Sequence, residues 1–390
     1  MLKRLKILFL EEAKIVASDH SILLTIIVAP LLYALFLGSI YLYKDETKVK
    51  FGVVDMDRTA VSRSIIQALN STQKIDLINE GPNFNSAVAK TNSLETNGFL
   101  FIPNGFEKGL KKLKGADVQI FLNTTKFLPS NDINKAISKT LLMAGAGIRL
   151  KYYQAKKGMT REQALTQVMP LAPNTKLLYN PTANYGDFLL PGLFLLILHQ
   201  TLLIGLGESL TFSRKKKKFA KWIKNAGGNI FIMINGKTLY YIFLFSSMAL
   251  FFFEVVFPLF GIGLQGNGFV IALLTFFFLL SVVYYTIFLA SFFKTQSGVM
   301  EVFAFSSYPI FLVSGFSWPQ SSLPTLFQWL GNFVPLTPFY NSFIRVTQMG
   351  ASFQHITGQL LHLIILSGIA YLLAHFRIKY LFKNTLSTLE

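Results

Sequence analysis

Residues 214–224 read RKKKKFAKWIK, seven cations in eleven positions. A nuclear address, a nucleic-acid grip, a solvated helix face and the inner rim of a membrane protein can all carry such a run. The flanks decide between them. Before it stands DFLLPGLFLLILHQTLLIGLGESLTF (187–212), and after it INGKTLYYIFLFSSMALFFFEVVFPLFGIGL (234–264). A basic run between two long apolar runs is first a topology signal, holding one loop on the cytoplasmic side.

The rest of the composition agrees. Of 390 residues, 52% are hydrophobic and only 14% charged, and phenylalanine alone occurs 39 times. The net charge of +18 would suggest nucleic acid in a soluble chain. Here the cations flank apolar spans or fall in one polar block, so anionic lipid headgroups are the simpler partner and no nucleic-acid role is expected. The absence of cysteine excludes disulfides, zinc-thiolate sites and thiol catalysis.

A bilayer core of ~30 Å takes roughly 20 apolar residues as helix. Six stretches qualify: 21–43, about 186–212, 238–264, 269–293, 298–316 and 356–376. The first has an apolar run too long for a signal peptide and no small-residue cleavage site after it, so it reads as a retained anchor. Lys3, Arg4, Lys6 and Lys14 precede it, and Arg377, Lys379 and Lys383 follow the last stretch. The positive-inside rule puts both termini in the cytoplasm, with residues 1–20 and 377–390 as the flanking segments.

Residues 44–184 then lie outside; domains of this length cross regardless of charge, so their net +9 is no obstacle. Short apolar runs alternate there with helical patterns. KFGVV, KIDLIN, GFLFIP and DVQIFLN read as strands, and RTAVSRSIIQALN, FNSAVAK, a segment from Pro103 and residues 131–157 read as helices. KLLYN (176–180) reads as a closing strand. The expected fold is an α-helical membrane protein of six transmembrane helices with a mixed α/β extracytoplasmic domain.

Several motifs fail on inspection. Gly236-Lys237-Thr238 ends like a phosphate loop, but Phe231 stands where the cradle needs glycine. Asp55-Met56-Asp57 could hold a metal with a sugar nucleotide, yet aspartate between a strand and a helix is ordinary turn and cap chemistry. His20, His199, His355, His362 and His375 do not cluster with carboxylates, and no catalytic or metal constellation is visible. Ionisable groups inside spans are costly and commonly functional. His199 and Gln200 sit mid-span, and Glu254 and Glu301 fall near span ends; these four form the candidate substrate path. Interhelical hydrogen bonding and carboxylates at headgroup level are the structural alternatives.

FGVVDMDRTAVSRSIIQAL, GFLFIPNGFEKGLKK and YPIFLVSGFSWPQSSLPTLFQWLGNFVPLTPFYNSFIR occur in order over nearly the whole chain. Together they resemble the permeases of the type-two ATP-binding cassette exporter family, in the subgroup with a large domain after the first span. The resemblance implies a pore-like dimer with a second copy or a similar permease. It also implies a separate ATPase subunit that binds ATP and Mg, so that this chain needs no cofactor and is not itself an enzyme. The N-terminal stretch would be an amphipathic helix on the inner face. The loop 213–237 within the 185–376 membrane domain would receive the ATPase's motion, with Glu208, Arg214, Lys215, Lys218, Lys221, Trp222 and Lys237 as coupling candidates. Family members carry a Glu-rich run after the second span; here Glu208 remains and SLTFSRKKKKF replaces the rest.

The residues support this independently. Pro319, Pro324, Pro335 and Pro338 are too many for one continuous helix, so 317–345 should form short helices dipping from outside. The expected cargo is hydrophobic or amphipathic (a drug, lipid or lipid-linked molecule), moved outward across a bacterial inner membrane, with a periplasmic adaptor as a further candidate partner. Two other classes compete: a membrane receptor with an outer sensor domain, and a proton-coupled carrier using His199, Glu208 and Glu254. The carrier would often show inverted repeats, which this chain lacks.

Overall fold

The computed structural model describes residues 1–42, 48–81, 83–112, 116–169, 175–181 and 183–386. Contacts divide the chain into two units: Asp45–Lys176, and Met1–Lys44 together with Leu177–Glu390.

In the first of these, β1 (Val49–Asp55), β2 (Ile75–Asn79), β3 (Gly98–Ile102) and β4 (Gln119–Leu122) form one sheet in the order β2-β1-β3-β4. β1 is parallel to both neighbours, and β4 is antiparallel to β3. The inner strand β1 is buried on both faces from Phe51 on, which is why its residues 51–54 (FGVV) run apolar without alternation. Phe51 and Val53 meet Ile65 and Leu69 of the Ala60–Asn70 helix and Ile133 and Ile137 of the Phe127–Lys157 helix. Val54 faces the other way, onto Phe99 and Ala87.

The Ala60–Asn70 helix starts where Thr59 and Ser62 form a reciprocal capping box. The strands and helices expected from periodicity are present, with three differences. The long helix begins at Phe127, because Pro129 is tolerated in a first turn. An additional helix, Arg161–Val168, starts on a Thr160–Gln163 capping box. The expected strand 176–180 has no regular structure. Leu177 and Leu178 there are 52% and 70% exposed, so their apolar character does not report burial.

The helical unit opens with an amphipathic helix, Leu2–Ser18, whose buried stripe is Leu5, Leu8, Glu12 and Val16. Among the described residues five helices are long and apolar enough to cross a bilayer: His20–Ile40, Tyr185–Ser213, Ile230–Leu259, Gly268–Ala290 and Phe353–Asn384. The second is the hub, with 83% of its apolar window buried against 28–56% for the others. Gly192, Gly205 and Gly207 let Phe316, Ile26 and Val299 close directly onto its backbone. The segment expected as a fifth of six spans is the 18-residue helix Gln296–Val313, which holds Pro309 and is not among those five. Glu301, Ser306 and Ser307 dilute its apolar character.

Two π-helical turns, Leu24–Val28 and Phe252–Val256, each run directly into a helix with proline in its first turn, Pro30 and Pro258. Proline removes one backbone donor and crowds the preceding turn; the wider turn absorbs that locally instead of breaking the helix. Residues 317–345 are broken, as their prolines predict, into a 3₁₀ turn at Gln320–Ser322 and helices Thr325–Gly331 and Leu336–Thr347. Tyr340 anchors the last of these by donating its hydroxyl to the Gly192 carbonyl at 2.6 Å.

Candidate functional site

The polar groups of the helical unit gather at two places. The first is where the Leu2–Ser18 helix meets the ends of the second and third candidate spans and the basic helix Lys216–Ala226. Glu12 lies on the helix's apolar stripe, so folding carries its carboxylate inside. There it accepts from the Lys237 ammonium, the Ser209 hydroxyl and, at 3.2 Å, the Tyr241 hydroxyl. The Lys237 side chain is 2% exposed and that of Glu12 3%. Lys237 donates further to Ser209 and Ser213, both at 3.1 Å, and lies 5.4 Å from the centre of the Trp222 ring. An ion pair this buried is tolerable only because its remaining donors and acceptors are met.

One position earlier, Glu11 faces outward and binds the basic helix. It takes Lys221 at 2.7 Å and the Asn225 amide at 2.6 Å. Arg214 donates to the carbonyls of Ser291 and Phe293, tying the start of the basic segment to the end of the Gly268–Ala290 helix. Lys215 and Lys218 lie over the Phe212 ring, at 5.1 and 2.9 Å. Glu208 is buried and accepts from Ser21 at 2.8 Å. Asp19 caps the first candidate span and accepts from Gln296 at 3.0 Å. All seven sequence-derived coupling candidates therefore fall at one end of the helical unit.

The sequence reading missed the acidic half of this junction, Glu11, Glu12 and Asp19. One signal was available: Leu5, Leu8, Glu12 and Val16 share helical spacing, and a carboxylate on an apolar stripe requires a cation.

The second place is the middle of the second span. His199 and Gln200 are buried. Neither His199 Nδ1 nor either amide atom of Gln200 has a hydrogen-bond partner among the described residues. His199 lines a cavity of about 200 Å³ with Leu203, Tyr285, Val302, Ser306 and Pro335. Buried polar atoms without partners are rare in folded proteins and call for water or a ligand. Glu254 and Glu301 are not brought to this cavity. Both are exposed on the surface of the unit, Glu254 on a π-helical turn. Glu208 is nine residues from His199, ~13 Å along a helix. His199, Glu208 and Glu254 thus form no contiguous relay.

In the other unit, the aspartates of DMD are occupied by the fold. Asp55 accepts from the amides of Asp57 and Arg58 and from the Ser62 hydroxyl. Asp57 accepts from Thr59 and from the Gly105 and Glu107 amides at the start of the Phe106–Lys111 helix.

Comparison with known proteins gives this arrangement a family. Residues 20–376 match the ABC-2 family transporter protein. A similar protein is the ABC transporter G family member 20 of Dictyostelium discoideum, 21% identical over 355 residues. The alignment covers 88% of this chain and 45% of that protein, so the chain spans less than half the length of its relative. With a family match over most of its length and several apolar helices, the chain is a multi-pass membrane protein and belongs to the ABC-2 transporter family.

Proposed function

We propose that this chain is the permease subunit of an ATP-driven exporter, coupled to a separate ATPase that binds ATP and Mg. The carrying observation is the junction at one end of the helical unit. There a basic helix is fastened to an amphipathic helix by Lys221 and Glu11, and both are fastened to the spans through Glu12 and Lys237. A push on the exposed basic helix reaches the spans through a buried, fully bonded ion pair, which suits the transfer of motion from a partner. Arg214, Lys215, Lys218 and Lys221 present the cationic face with Trp222 buried behind it, and Glu208, bonded to Ser21, would tie the second span to the first.

In this reading the Gln296–Val313 helix is a sixth span, kept in the bilayer by packing against the second. Both termini are cytoplasmic and residues 44–184 lie outside a bacterial inner membrane. Two permease copies, or one with a similar partner, enclose the path, and an envelope adaptor on the outer unit is a further component. His199 supplies a polar contact inside a largely apolar cavity, fitting a hydrophobic or amphipathic cargo, with Gln200 buried beside it on the same helix. Glu254 and Glu301, exposed on apolar helices, would be shielded by the second copy.

The test is transport of a fluorescent amphiphile into inside-out vesicles containing the permease and its ATPase. Uptake that requires both subunits and hydrolysable ATP supports the reading. Uptake that continues without any ATPase and follows the proton gradient overturns it in favour of a carrier.

A further inference from the structure

A cavity of about 300 Å³ lies between the amphipathic helix and the basic helix. Its walls are of two kinds. Leu8, Ile15, Phe212 and Trp222 form an apolar side, and Lys14, Lys218, Lys221 and Lys237 a cationic one. Two of these cations are already matched, Lys221 by Glu11 and Lys237 by Glu12. Lys14 and Lys218 form no salt bridge among the described residues, although Lys218 lies over the Phe212 ring and feels the charge of Asp19, and the lining keeps an excess of two positive charges. The indole Nε1 of Trp222, a side chain only 5% exposed, is buried with no acceptor among those residues.

The excess positive charge calls for an anion, and the apolar wall calls for a ligand with a hydrocarbon part. Position chooses the source. Phe212 and Ser213 end the second candidate span, and Lys237 lies seven residues into the third, ~10 Å along it. The cavity therefore sits at the depth where headgroups meet acyl chains.

We propose that this cavity binds the phosphate headgroup of an anionic membrane lipid through Lys14 and Lys218, with its glycerol and first acyl carbons against Leu8, Ile15, Phe212 and the Trp222 ring. The bound lipid bridges the two helices that Glu11 and Lys221 already join. This assignment depends on the spans lying in a bilayer and not on the ATPase, so either can fail without the other.

Trp222 reports on its own site. The chain has three tryptophans, and the other two, Trp318 and Trp329, are exposed. Full-length Trp318→Phe/Trp329→Phe protein is placed in phosphatidylcholine vesicles doped with brominated phosphatidylglycerol or brominated phosphatidylcholine. Trp222 emission should be quenched about tenfold more effectively by the anionic lipid. Lys14→Gln/Lys218→Gln should remove that preference, whereas Lys379→Gln, at an exposed position away from the cavity, should keep it. Should the glutamine pair disturb the fold, Lys14→Arg/Lys218→Arg must still prefer the anionic lipid. Equal quenching by both lipids, or an undiminished preference in a folded glutamine pair, overturns the proposal. Loss of the preference in millimolar inorganic phosphate also overturns it, by assigning the site to a soluble anion.

Discussion

The ammonium of Lys237 donates to the carboxylate of Glu12 although 225 positions separate them, and both side chains are almost wholly buried. The pair joins the amphipathic N-terminal helix to the third candidate span. Ser209 and Ser213 bring the second span into the same network.

Breaking one side of this pair leaves a buried charge without compensation. Glu12→Gln should weaken attachment of the N-terminal helix by roughly 3–5 kcal/mol. Hydrogen exchange of amides 5–16 should then accelerate strongly. Glu12→Leu combined with Lys237→Met replaces the pair by apolar groups and should restore much of the protection. Unchanged exchange in the single variant would mean that apolar packing alone holds the helix.

His199 and Gln200 present the opposite case, polar atoms buried with nothing to bond. Replacing either by Leu removes an unmet desolvation cost, so thermal stability in detergent should hold or rise by about 1–2 kcal/mol. Transport should fall if cargo or water uses those atoms. A His199 variant that transports normally would take the cavity off the path.

Asp57 ties the DMD turn to the Phe106–Lys111 helix. Burial pushes its carboxyl up, but the Thr59 hydroxyl and the Glu107, Gly105 and Phe106 amides outweigh that and hold it below the ordinary value. A lowered folded value means that the contribution is complete above the usual aspartate range and is lost as pH falls through the lowered one. Asp57→Asn should therefore speed exchange at Gly105 and Glu107 at neutral pH and abolish the acid-dependent step seen in the native chain. The same acid step in both proteins would contradict this.

The absence of cysteine allows clean topology mapping. Ser64→Cys and Ser321→Cys, both at exposed positions, should react with an impermeant maleimide added to intact cells. Lys224→Cys should react only after permeabilisation. Labelling of Lys224→Cys from outside would invert the proposed orientation.

What the sequence disclosed follows from where periodicity exists. β1 and β3 were readable as short apolar runs buried on both faces, and β4 and the Val61, Ile65 and Leu69 helix stripe because one face of each is buried and the period is local. Helices apolar on all sides carry no such signal. Nothing in the sequence could place Glu254 and Glu301 on the exposed surface while turning His199 inward. The pairing of Glu12 with Lys237 was half legible: the stripe placed the carboxylate, but no local pattern names a partner so distant. Lys237 itself was read as a coupling candidate at the end of the 213–237 loop, not as the buried partner of Glu12. The Gln296–Val313 helix sits at the margin of what composition can assign to a bilayer, since its polar residues need neighbours that a single sequence does not reveal.

The most direct test of the central claim is co-purification. Tagged native protein and a variant with Lys215–Lys218 changed to Ser are isolated in mild detergent, and the associated subunits are identified and assayed for ATP hydrolysis. A phosphate-loop ATPase should accompany the native chain in stoichiometric amount and be substantially lost from the variant, whose own fold is retained. If no ATPase accompanies the native chain and no hydrolysis is found, the exporter assignment has no energy source and the claim is contradicted.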